Sequence, residues 1–454
     1  MFQVKQNTIG ACIGLRLYGL YPEHTGQGDE YMKKTVLLRA AAGLLAAAML
    51  LTGCREKRRT PDAEAEGKIL TVCISRTDWS EAADLLTERY LLLHPEIADI
   101  RWELIDEASY WDLMNMKLAM NQLPDIMDVG AGEEMDAWYC HLSPVADERI
   151  LYGMDPWILK GSKIKDVCYT VPVSVYGKGI LYNTELLKKA GWHRLPENRN
   201  ELEMLCEDLE QEDIRPFMNS CYNITSCAET DLLQMISMKA APELYIDFLK
   251  NGNQNSIMSD RSWDQMMNYL DLTIRYGNRR SLEMDRDLAR NYFFIGKYAM
   301  LTNDGAGCIK GMREVKDLSE ESIVIGPLLM SEDSEENRLQ LDVVRLGAVS
   351  SGKNREDAFA FLSWLARSEE AADILKSAAG ALPVIEDLRR DGLTVLAGQT
   401  CEQIQADKAS PDMNGMLPRA VCEDNRELWA KYIDGEIQRR EFLDSYQQYW
   451  KSFR

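Results

Sequence analysis

Residues 169–192, YTVPVSVYGKGILYNTELLKKAGW, contain the change from strand to helix that decides the fold. Pro172 lies within an apolar run, which suits a strand that crosses between two domains. Asparagine favours the position just before a helix, so Tyr182 and Asn183 are expected to lock the strand to the helix that follows. Gly191 comes after two lysines and an alanine, as a stop at the C-terminal end of that helix.

The residues upstream of this stretch alternate between strand and helix patterns. Short β-rich or apolar runs occupy residues 69–74, 100–105 and 126–129. Helical spacing of apolar residues occupies 79–93 and 110–120. Strands and helices that alternate with short connections predict a parallel sheet covered on both faces.

The residues downstream are mainly helical. Two further runs, residues 298–302 and 323–325, have strand character. The helical patterns lie at residues 201–209, 232–238, 244–249, 263–276, 356–366, 371–378, 425–433 and 439–450. The sequence therefore predicts an α/β protein with a helix-rich second half.

Composition excludes several classes of function. The chain has 454 residues, of which 46% are hydrophobic and 28% charged, enough for two or three compact domains. Its net charge of -21 repels phosphate backbones, so no nucleic-acid partner is expected. The chain has four histidines, and no two of them stand in metal-ligand spacing: His24, His94, His141 and His193. The protein is therefore expected not to be an enzyme and to hold neither a metal nor a cofactor.

The beginning of the chain has the pattern of an export signal. Two lysines follow Met32, and a short apolar run at residues 36–51 leads to LTGC at residues 51–54. An apolar run of this length is too short to span a bilayer comfortably. LTGC resembles the lipobox of bacterial lipoproteins, in which the cysteine receives lipid and becomes the new N-terminus.

These features predict the processing of the chain. Residues 1–31 are expected to be a leader that precedes the true start, and residues 32–53 a lipoprotein signal peptide. Cys54 is the expected lipidation site, and the polar residues 54–67 are expected to form a tether. The mature protein is then anchored by lipid on the extracellular face of the cell membrane.

The cysteines do not predict a disulfide framework. Nine remain beyond Cys12 and Cys54, which is an odd number, and no CxxC pair occurs. Cys221 and Cys227 are near enough in sequence to pair across a loop, and the sequence leaves this open.

Several motifs carry a resemblance to a known family. The Val-Pro strand, the Tyr-Asn pair and the Leu-Lys-Lys-Ala-Gly helix end of residues 169–192 resemble the extracellular solute-binding proteins of ABC importers. The similarity is to the sugar-binding branch that includes maltose-binding proteins. Further motifs of this family occur in order at residues 123–126 (LPDI), 296–300 (GKYAM), 380–384 (GALPV) and 434–436 (DGE). The resemblance covers nearly all of residues 68–454.

The resemblance implies a two-lobed, periplasmic-binding-protein-like α/β fold of type II, with interleaved lobes. Lobe one is expected at residues 68–172 plus 299–346, and lobe two at residues 173–298 plus 347–454. Residues 171–175 and 298–302 are the expected hinge crossings, with residues 345–350 as a candidate third.

The resemblance also implies a function. The protein is expected to be a monomer that captures a carbohydrate, in the first instance an oligosaccharide, by closure of the lobes. It would then deliver this ligand to the permease subunits of a membrane importer.

Sugar sites combine aromatic platforms with side chains that form paired hydrogen bonds, and in open α/β sheets ligands bind beyond the carboxyl ends of strands. The residues expected to bind ligand therefore follow strands or lie in loops that match family contact regions: Asp78, Trp79, Asp128, Tyr176, Tyr222, Asn303, Asp304, Met413 and Arg419.

Five of these candidates carry a specific argument. Asp128 stands near two glycines that allow close backbone approach. Trp79 is either a stacking platform or the first core residue of its helix, and Asp78 is either a ligand contact or a helix N-cap. Where the family often has a tryptophan, this chain has Ala306, which favours Asn303 and its neighbour as polar contacts instead.

Two other functions stay open from the sequence. A glycoside hydrolase would need a pair of carboxylates, and the sequence does not locate one. A surface sensor would keep the two-lobed fold but present its ligand, or a non-sugar solute, to a receptor kinase.

Overall fold

The computed structural model describes residues 67–251, 254–389 and 391–452. The predictions for the leader, the signal peptide, Cys54 and nearly all of the tether concern residues outside this part. Among the described residues, no helix combines the length and the apolar character needed to cross a membrane.

Eleven strands and seventeen α-helices make up the described chain. The strands are β1 Lys68–Ile74, β2 Ile97–Leu104, β3 Ile126–Asp128, β4 Lys163–Ile164, β5 Val167–Cys168, β6 Val171–Asn183, β7 Phe217–Met218, β8 Met300–Gly305, β9 Ile323–Gly326, β10 Gln340–Ala348 and β11 Leu382–Pro383.

The helices are α1 Ser80–Leu93, α2 Glu107–Ala119, α3 Gly132–Trp138, α4 Pro156–Lys160, α5 Thr184–Lys189, α6 Arg199–Gln211, α7 Ile224–Ser237, α8 Pro242–Lys250, α9 Arg261–Arg275, α10 Arg286–Phe294, α11 Ile309–Glu314, α12 Arg355–Arg367, α13 Glu369–Ala379, α14 Val395–Gln405, α15 Ala420–Glu423, α16 Arg426–Ile433 and α17 Arg439–Ser452.

One mixed sheet of nine strands organises the protein. Seven strands follow the order β2-β1-β3-β10-β6-β8-β7, and β9 and β11 also pair with β6. The pairs of β1 with β2 and with β3 are parallel, whereas β10 runs antiparallel to β3 and β6. The alternation of strands and helices thus predicted the parallel part correctly.

Both faces of this parallel part are covered by helices, also as predicted. On one face, Leu86 and Tyr90 of α1 pack against Leu70 and Val72 of β1 in a large apolar cluster, the first core. On the other face, Met114 of α2 and residues of α3 pack in a smaller cluster. A parallel strand with apolar residues on both of its sides must be covered on both faces, and helices provide that cover.

Strand β6 is thirteen residues long and passes from one part of the sheet to another. Its first half pairs with β10 and β11, and its second half pairs with β8 and β9. Opposite Pro172 the register with β10 shifts, so that Arg345 pairs with Pro172 and Val344 with Ser174. A proline cannot donate a ladder hydrogen bond, and a bulge at this point accommodates it.

Helix α5 begins and ends where the sequence predicted. The side chain of Asn183 caps the helix, because its Oδ1 accepts hydrogen bonds from Glu185 N at 3.1 Å and Leu186 N at 3.2 Å. Tyr182 is buried. Gly191 follows the helix with φ +81°, a conformation that glycine adopts without strain.

A second core lies apart from the first. It joins α6, α7 and α9 to the C-terminal helices α16 and α17, with Trp263, Trp429 and Trp450 all buried in it. Helix α12 belongs to the first core instead, since Phe361 lies 4.9 Å from the ring of Tyr90 on α1 and 5.9 Å from that of Trp102 on β2. The sequence analysis placed residues 347–454 with the second lobe. An amphipathic pattern shows that a helix has a buried face but does not show which partner covers it.

Candidate functional site

A cavity of about 1070 Å³ lies between elements of the two cores. It opens at the carboxyl ends of β1, β3 and β7, where Ser75, Asp128 and Ser220 line it. The N-terminal turn of α2, the start of α7 and the segment from Asn414 through α16 complete its walls. Ligands of open α/β sheets bind at such strand ends, so this cavity is the candidate binding site.

Five of the nine predicted ligand residues line this cavity. They come from four separate chain segments: Asp128, Tyr222, Asn303, Asp304 and Arg419. Two smaller pockets share Asn414 and Glu107 with it. Asp78 and Tyr176 line one of them, and Met413 lines the other.

Trp79 is not part of the site. It is fully buried, and its Nε1 donates a hydrogen bond to the Tyr176 hydroxyl at 2.8 Å. Of the two interpretations of this residue, the core residue is therefore the right one. Asp78 does not cap a helix with its side chain, because neither the 3-10 helix Thr77–Trp79 nor α1 has a side-chain cap.

Asp128 is held by Ser75. Its Oδ2 accepts hydrogen bonds from Ser75 Oγ at 2.6 Å and from Ser75 N at 3.3 Å. Within the described chain no hydrogen bond reaches Oδ1, which leaves this oxygen for a ligand. Burial raises the pKa of Asp128, while the two bonds from Ser75 oppose that rise. This side chain can therefore both order the loop after β1 and accept a hydrogen bond from a ligand.

Asp304 has a structural partner that the sequence did not reveal. Arg290 donates two hydrogen bonds to the carboxylate of Asp304, from Nε to Oδ2 at 2.7 Å and from Nη2 to Oδ1 at 2.8 Å. Oδ1 also accepts from Gly305 N at 2.8 Å. The carboxylate is thus already engaged, and its ion pair with Arg290 lowers its pKa against the effect of burial. Asp304 shapes the wall of the cavity, and of the two adjacent residues Asn303 is the one whose side-chain oxygen has no hydrogen-bond partner among the described residues.

That neighbour, Asn303, has an unmet hydrogen-bonding group. Its Oδ1 is buried and has no hydrogen-bond partner among the described residues, and the same holds for Asp78 Oδ1. Buried acceptors without a donor are costly, so a ligand that brings hydroxyl groups would satisfy them. Both side chains line the pocket beside the main cavity.

Trp111 and Glu134 are site residues that the sequence analysis missed. Both line the cavity, and Trp111 Nε1 donates to Glu134 Oε1 at 2.8 Å. The ring of Trp111 packs against two other rings, with its centroid 5.1 Å from that of Trp138 and 5.0 Å from that of Tyr110 in a T-shaped pair. With the exposed Tyr222, it gives the cavity two accessible aromatic rings. The signal was its place in the second turn of the helix that follows a strand, which brings it to the same sheet edge as Asp128.

The cavity wall is strongly acidic. Eleven acidic side chains and three arginines line it. Burial, and next the charge of Glu229, raise the pKa of Glu134 to about 8. Burial, and next the charge of Glu107, raise the pKa of Glu229 to about 7. At pH 7 Glu134 is therefore mostly protonated and Glu229 about half protonated, so both carboxyls can donate as well as accept hydrogen bonds.

The raised pKa values predict that the protein is less stable at alkaline than at mildly acidic pH. The folded protein holds protons on Glu134 and Glu229 that the unfolded chain releases above pH 4.5, their ordinary pKa. Stability is therefore lost as the pH rises from about 4.5 to about 8. We expect Glu134→Gln to remove roughly 1–2 kcal/mol of the difference in the free energy of unfolding between about pH 5 and pH 8.

Urea unfolding at the two pH values measures this difference. The matched control is Glu436→Gln, because Glu436 is exposed and lies outside the cavity. The control is expected to keep the pH dependence of the parent protein. An equal pH dependence in Glu134→Gln and in the parent would show that Glu134 titrates normally.

Comparison with known proteins finds similarity in structure rather than in sequence. No protein-family model matches the chain, and no curated protein matches its sequence. Among solved structures it is similar to MalE3 of T. maritima with bound maltose, at 15% identity and a TM-score of 0.70 over 85% of this chain and 100% of that one.

Two further neighbours cover the chain to the same extent. RafE in complex with raffinose is 13% identical, with a TM-score of 0.69 over 85% of this chain and 99% of its own. A chitin oligosaccharide binding protein is 16% identical, with a TM-score of 0.69 over 86% and 99%. The chain thus has the two-lobed α/β fold of the sugar-binding solute-binding proteins of ABC importers, which confirms the resemblance drawn from its motifs at the level of the fold.

Proposed function

We propose that this chain, with the fold of the sugar-binding solute-binding proteins, binds an uncharged oligosaccharide in the cavity between its two cores and delivers it to an ABC importer. The observation that carries the proposal is the composition of the cavity. Two aromatic rings, Trp111 and Tyr222, line the cavity. Buried acceptors without donors in the described chain lie on Asn303, in the cavity wall, and on Asp78, in the adjoining pocket. Sugars supply both partners, because they have apolar CH faces and a rim of hydroxyl groups.

The size and charge of the cavity support this ligand class. A volume of about 1070 Å³ is large for a single small solute and suits several linked sugar rings. The excess of acidic over basic side chains disfavours an anionic ligand such as an acidic sugar. The structural neighbours RafE with raffinose, MalE3 with maltose and the chitin oligosaccharide binding protein support the same class.

We propose that the ligand is held by closure of the two cores. Contacts already link their walls: Ser226 of α7 donates to Glu107 of α2 at 3.3 Å, and Lys250 of α8 pairs with Glu133 of α3. Asn414 also accepts a backbone hydrogen bond from Ala131 N at 2.9 Å. Such contacts would form on closing and break on opening, since β6 runs between the cores and can bend.

The site of action follows from the beginning of the chain. We propose export by the signal at residues 32–53 and a lipid anchor at Cys54 on the extracellular face of the membrane. The permease subunits of an importer are the proposed partners. Polar residues 54–67 would give the lipid-anchored protein its reach to them.

Thermal unfolding of the purified protein with a panel of saccharides tests the function. We expect at least one neutral oligosaccharide, among raffinose, maltose and chitin or xylan fragments, to stabilise the protein. At a concentration a hundred times its Kd, the ligand should add about 2.7 kcal/mol to the free energy of unfolding.

The panel also contains its own controls. An acidic oligosaccharide of the same length is expected to give no shift, because the cavity wall repels it. If amino acids, peptides or other non-sugar solutes stabilise the protein and no saccharide does, the carbohydrate assignment is wrong. Turnover of any saccharide in the panel would contradict a role in binding alone.

A further inference from the structure

Two cysteines lie in contact beside the cavity, and one of them, Cys227, lines it. Cys221 is in the loop after β7, and Cys227 is in the first turn of α7. Their Sγ atoms are 3.0 Å apart, and both are free thiols. Two sulfur atoms in a disulfide are about 2.05 Å apart, so an approach of about 1 Å would join them.

Hydrogen bonds hold the backbone on both sides of the pair. Cys221 N donates to Ser281 O at 2.9 Å, and Tyr222 N donates to Met284 O at 3.1 Å. At the other end of the loop, Asn223 Oδ1 caps α7 by accepting from Ser226 N at 3.3 Å. These contacts hold the two sulfurs together without help from a covalent bond. The loop between the two cysteines is therefore already ordered in the folded protein, and formation of the disulfide costs little further conformational entropy.

The two thiols differ in access. Cys221 is partly exposed, whereas Cys227 is buried, with its Sγ 3.0 Å from the carbonyl oxygen of Ser220. An external reagent therefore meets Cys221 first. Cys227 is then within reach to displace the reagent.

We propose that Cys221 and Cys227 are a redox pair that a small-molecule disulfide converts to an intramolecular disulfide. The hydrogen bond with Cys227 and burial raise the pKa of Cys221 well above its ordinary value, so the reaction is expected at alkaline pH. There the thiolate of Cys221 attacks one sulfur of the reagent, forms a mixed disulfide and releases the first reagent thiol. Cys227 attacks Cys221 Sγ, forms the internal S–S bond and releases the second thiol. The two cysteine protons leave with the two reagent thiols, and the reagent disulfide takes up the two electrons that the cysteines lose.

The bond would act on the rim of the proposed ligand site. The loop that it closes carries Tyr222, whose side chain is 71% exposed and lines the cavity. The oxidised protein would hold this residue in one position against the first turn of α7. Formation of the bond itself does not depend on which ligand the cavity takes, so it can be tested separately from the proposed function.

Peptide mapping of the purified full chain tests the proposal. The protein is incubated with oxidised glutathione or with buffer, unfolded, alkylated and cut with chymotrypsin, which cleaves after Tyr222 and so separates the two cysteines. After oxidation we expect their two peptides to be joined, and to come apart when a reducing agent is added before alkylation. In buffer with reductant, both cysteines should be alkylated.

The exposed thiol of Cys140 serves as the internal control. It is expected to take up glutathione as a mixed disulfide, which shows that the oxidant acted. If Cys140 is modified while Cys221 and Cys227 are both recovered in the alkylated form, the proposal is wrong. Recovery of Cys221 as a stable glutathione adduct would also overturn it, because Cys227 would then fail to displace the reagent. In Cys227→Ser that same adduct is the expected product.

Discussion

Replacing Arg345 with methionine is expected to lower the free energy of unfolding by about 3–5 kcal/mol. Arg345 lies on β10 and is 1% exposed, and its Nη1 is 2.5 Å from Oδ2 of Asp412, which is 2% exposed. The guanidinium also donates to the carbonyl oxygens of Val343 at 3.2 Å and Ile158 at 3.4 Å. Methionine fills much of the same volume but leaves the Asp412 carboxylate buried without a cation.

The environment of Asp412 shows why the loss should be large. Burial raises the pKa of this carboxyl even with the arginine beside it. Without the arginine, the group must either take up a proton or draw water into the space between β10 and the segment before Asn414. Both outcomes destabilise the folded state of the variant relative to that of the parent protein.

Urea unfolding followed by circular dichroism measures the effect. The matched control is Arg338→Met, which breaks the ion pair of Arg338 with Asp407, whose side chains are 36% and 94% exposed. Exposed pairs contribute little, so the control should lie within about 1 kcal/mol of the parent protein. A double variant, Arg345→Met with Asp412→Leu, is expected to recover part of the lost stability. If Arg345→Met and the control unfold alike, the buried pair does not stabilise the fold.

Removing the ring of Trp111 is expected to weaken ligand binding by about 2–4 kcal/mol, or roughly 30- to 1000-fold in Kd. Trp111 is the aromatic ring that the α2 wall presents to the cavity, and Trp138 and Tyr110 fix its orientation. A rigid ring loses little entropy when a sugar packs on it. Trp111→Ala removes both this surface and the donor to Glu134.

Isothermal titration with the saccharide that gives the largest thermal shift measures the change. Trp192→Ala is the matched control, because Trp192 is also half-buried and its Nε1 also donates to a carboxylate, Asp208, at 2.9 Å, but it lies outside the cavity. Trp111→Phe keeps an aromatic face and should bind with intermediate affinity. If Trp111→Ala binds as tightly as Trp192→Ala, the ligand does not contact this wall.

The sequence predicted most of the elements, because local patterns specify them. Alternating runs predicted β1 to β3 with α1 and α2, and the Asn183 cap and Gly191 stop predicted the limits of α5. Helix α7 shows where such patterns fail. It begins at Ile224, eight residues before the predicted start, because polar residues such as Thr230 and Asp231 are buried in it and hide the apolar period.

The site was predicted less completely, since it depends on contacts between distant segments. Asp128 and Asn303 were predicted because each ends or follows a strand pattern in the sequence, and both line the cavity. The partner of Asp304, Arg290, could not be inferred, because nothing local links a residue of α10 to one of β8. Trp79 was wrong as a ligand residue and Trp111 was overlooked for the same reason: both lie on helical patterns, and only the packing shows which ring reaches the cavity.

The course of β6 through both parts of the sheet has a consequence for how such a protein can evolve. The first core begins at Leu70 and ends at Cys401, whereas the second begins at Ile180 and ends at Trp450, so their residues alternate along the chain, and one strand serves both. Neither core corresponds to one continuous stretch of the gene, so recombination cannot exchange one half for another as a finished unit. A new ligand preference must therefore arise by substitution in the loops at the strand ends, while the shared strand is inherited whole.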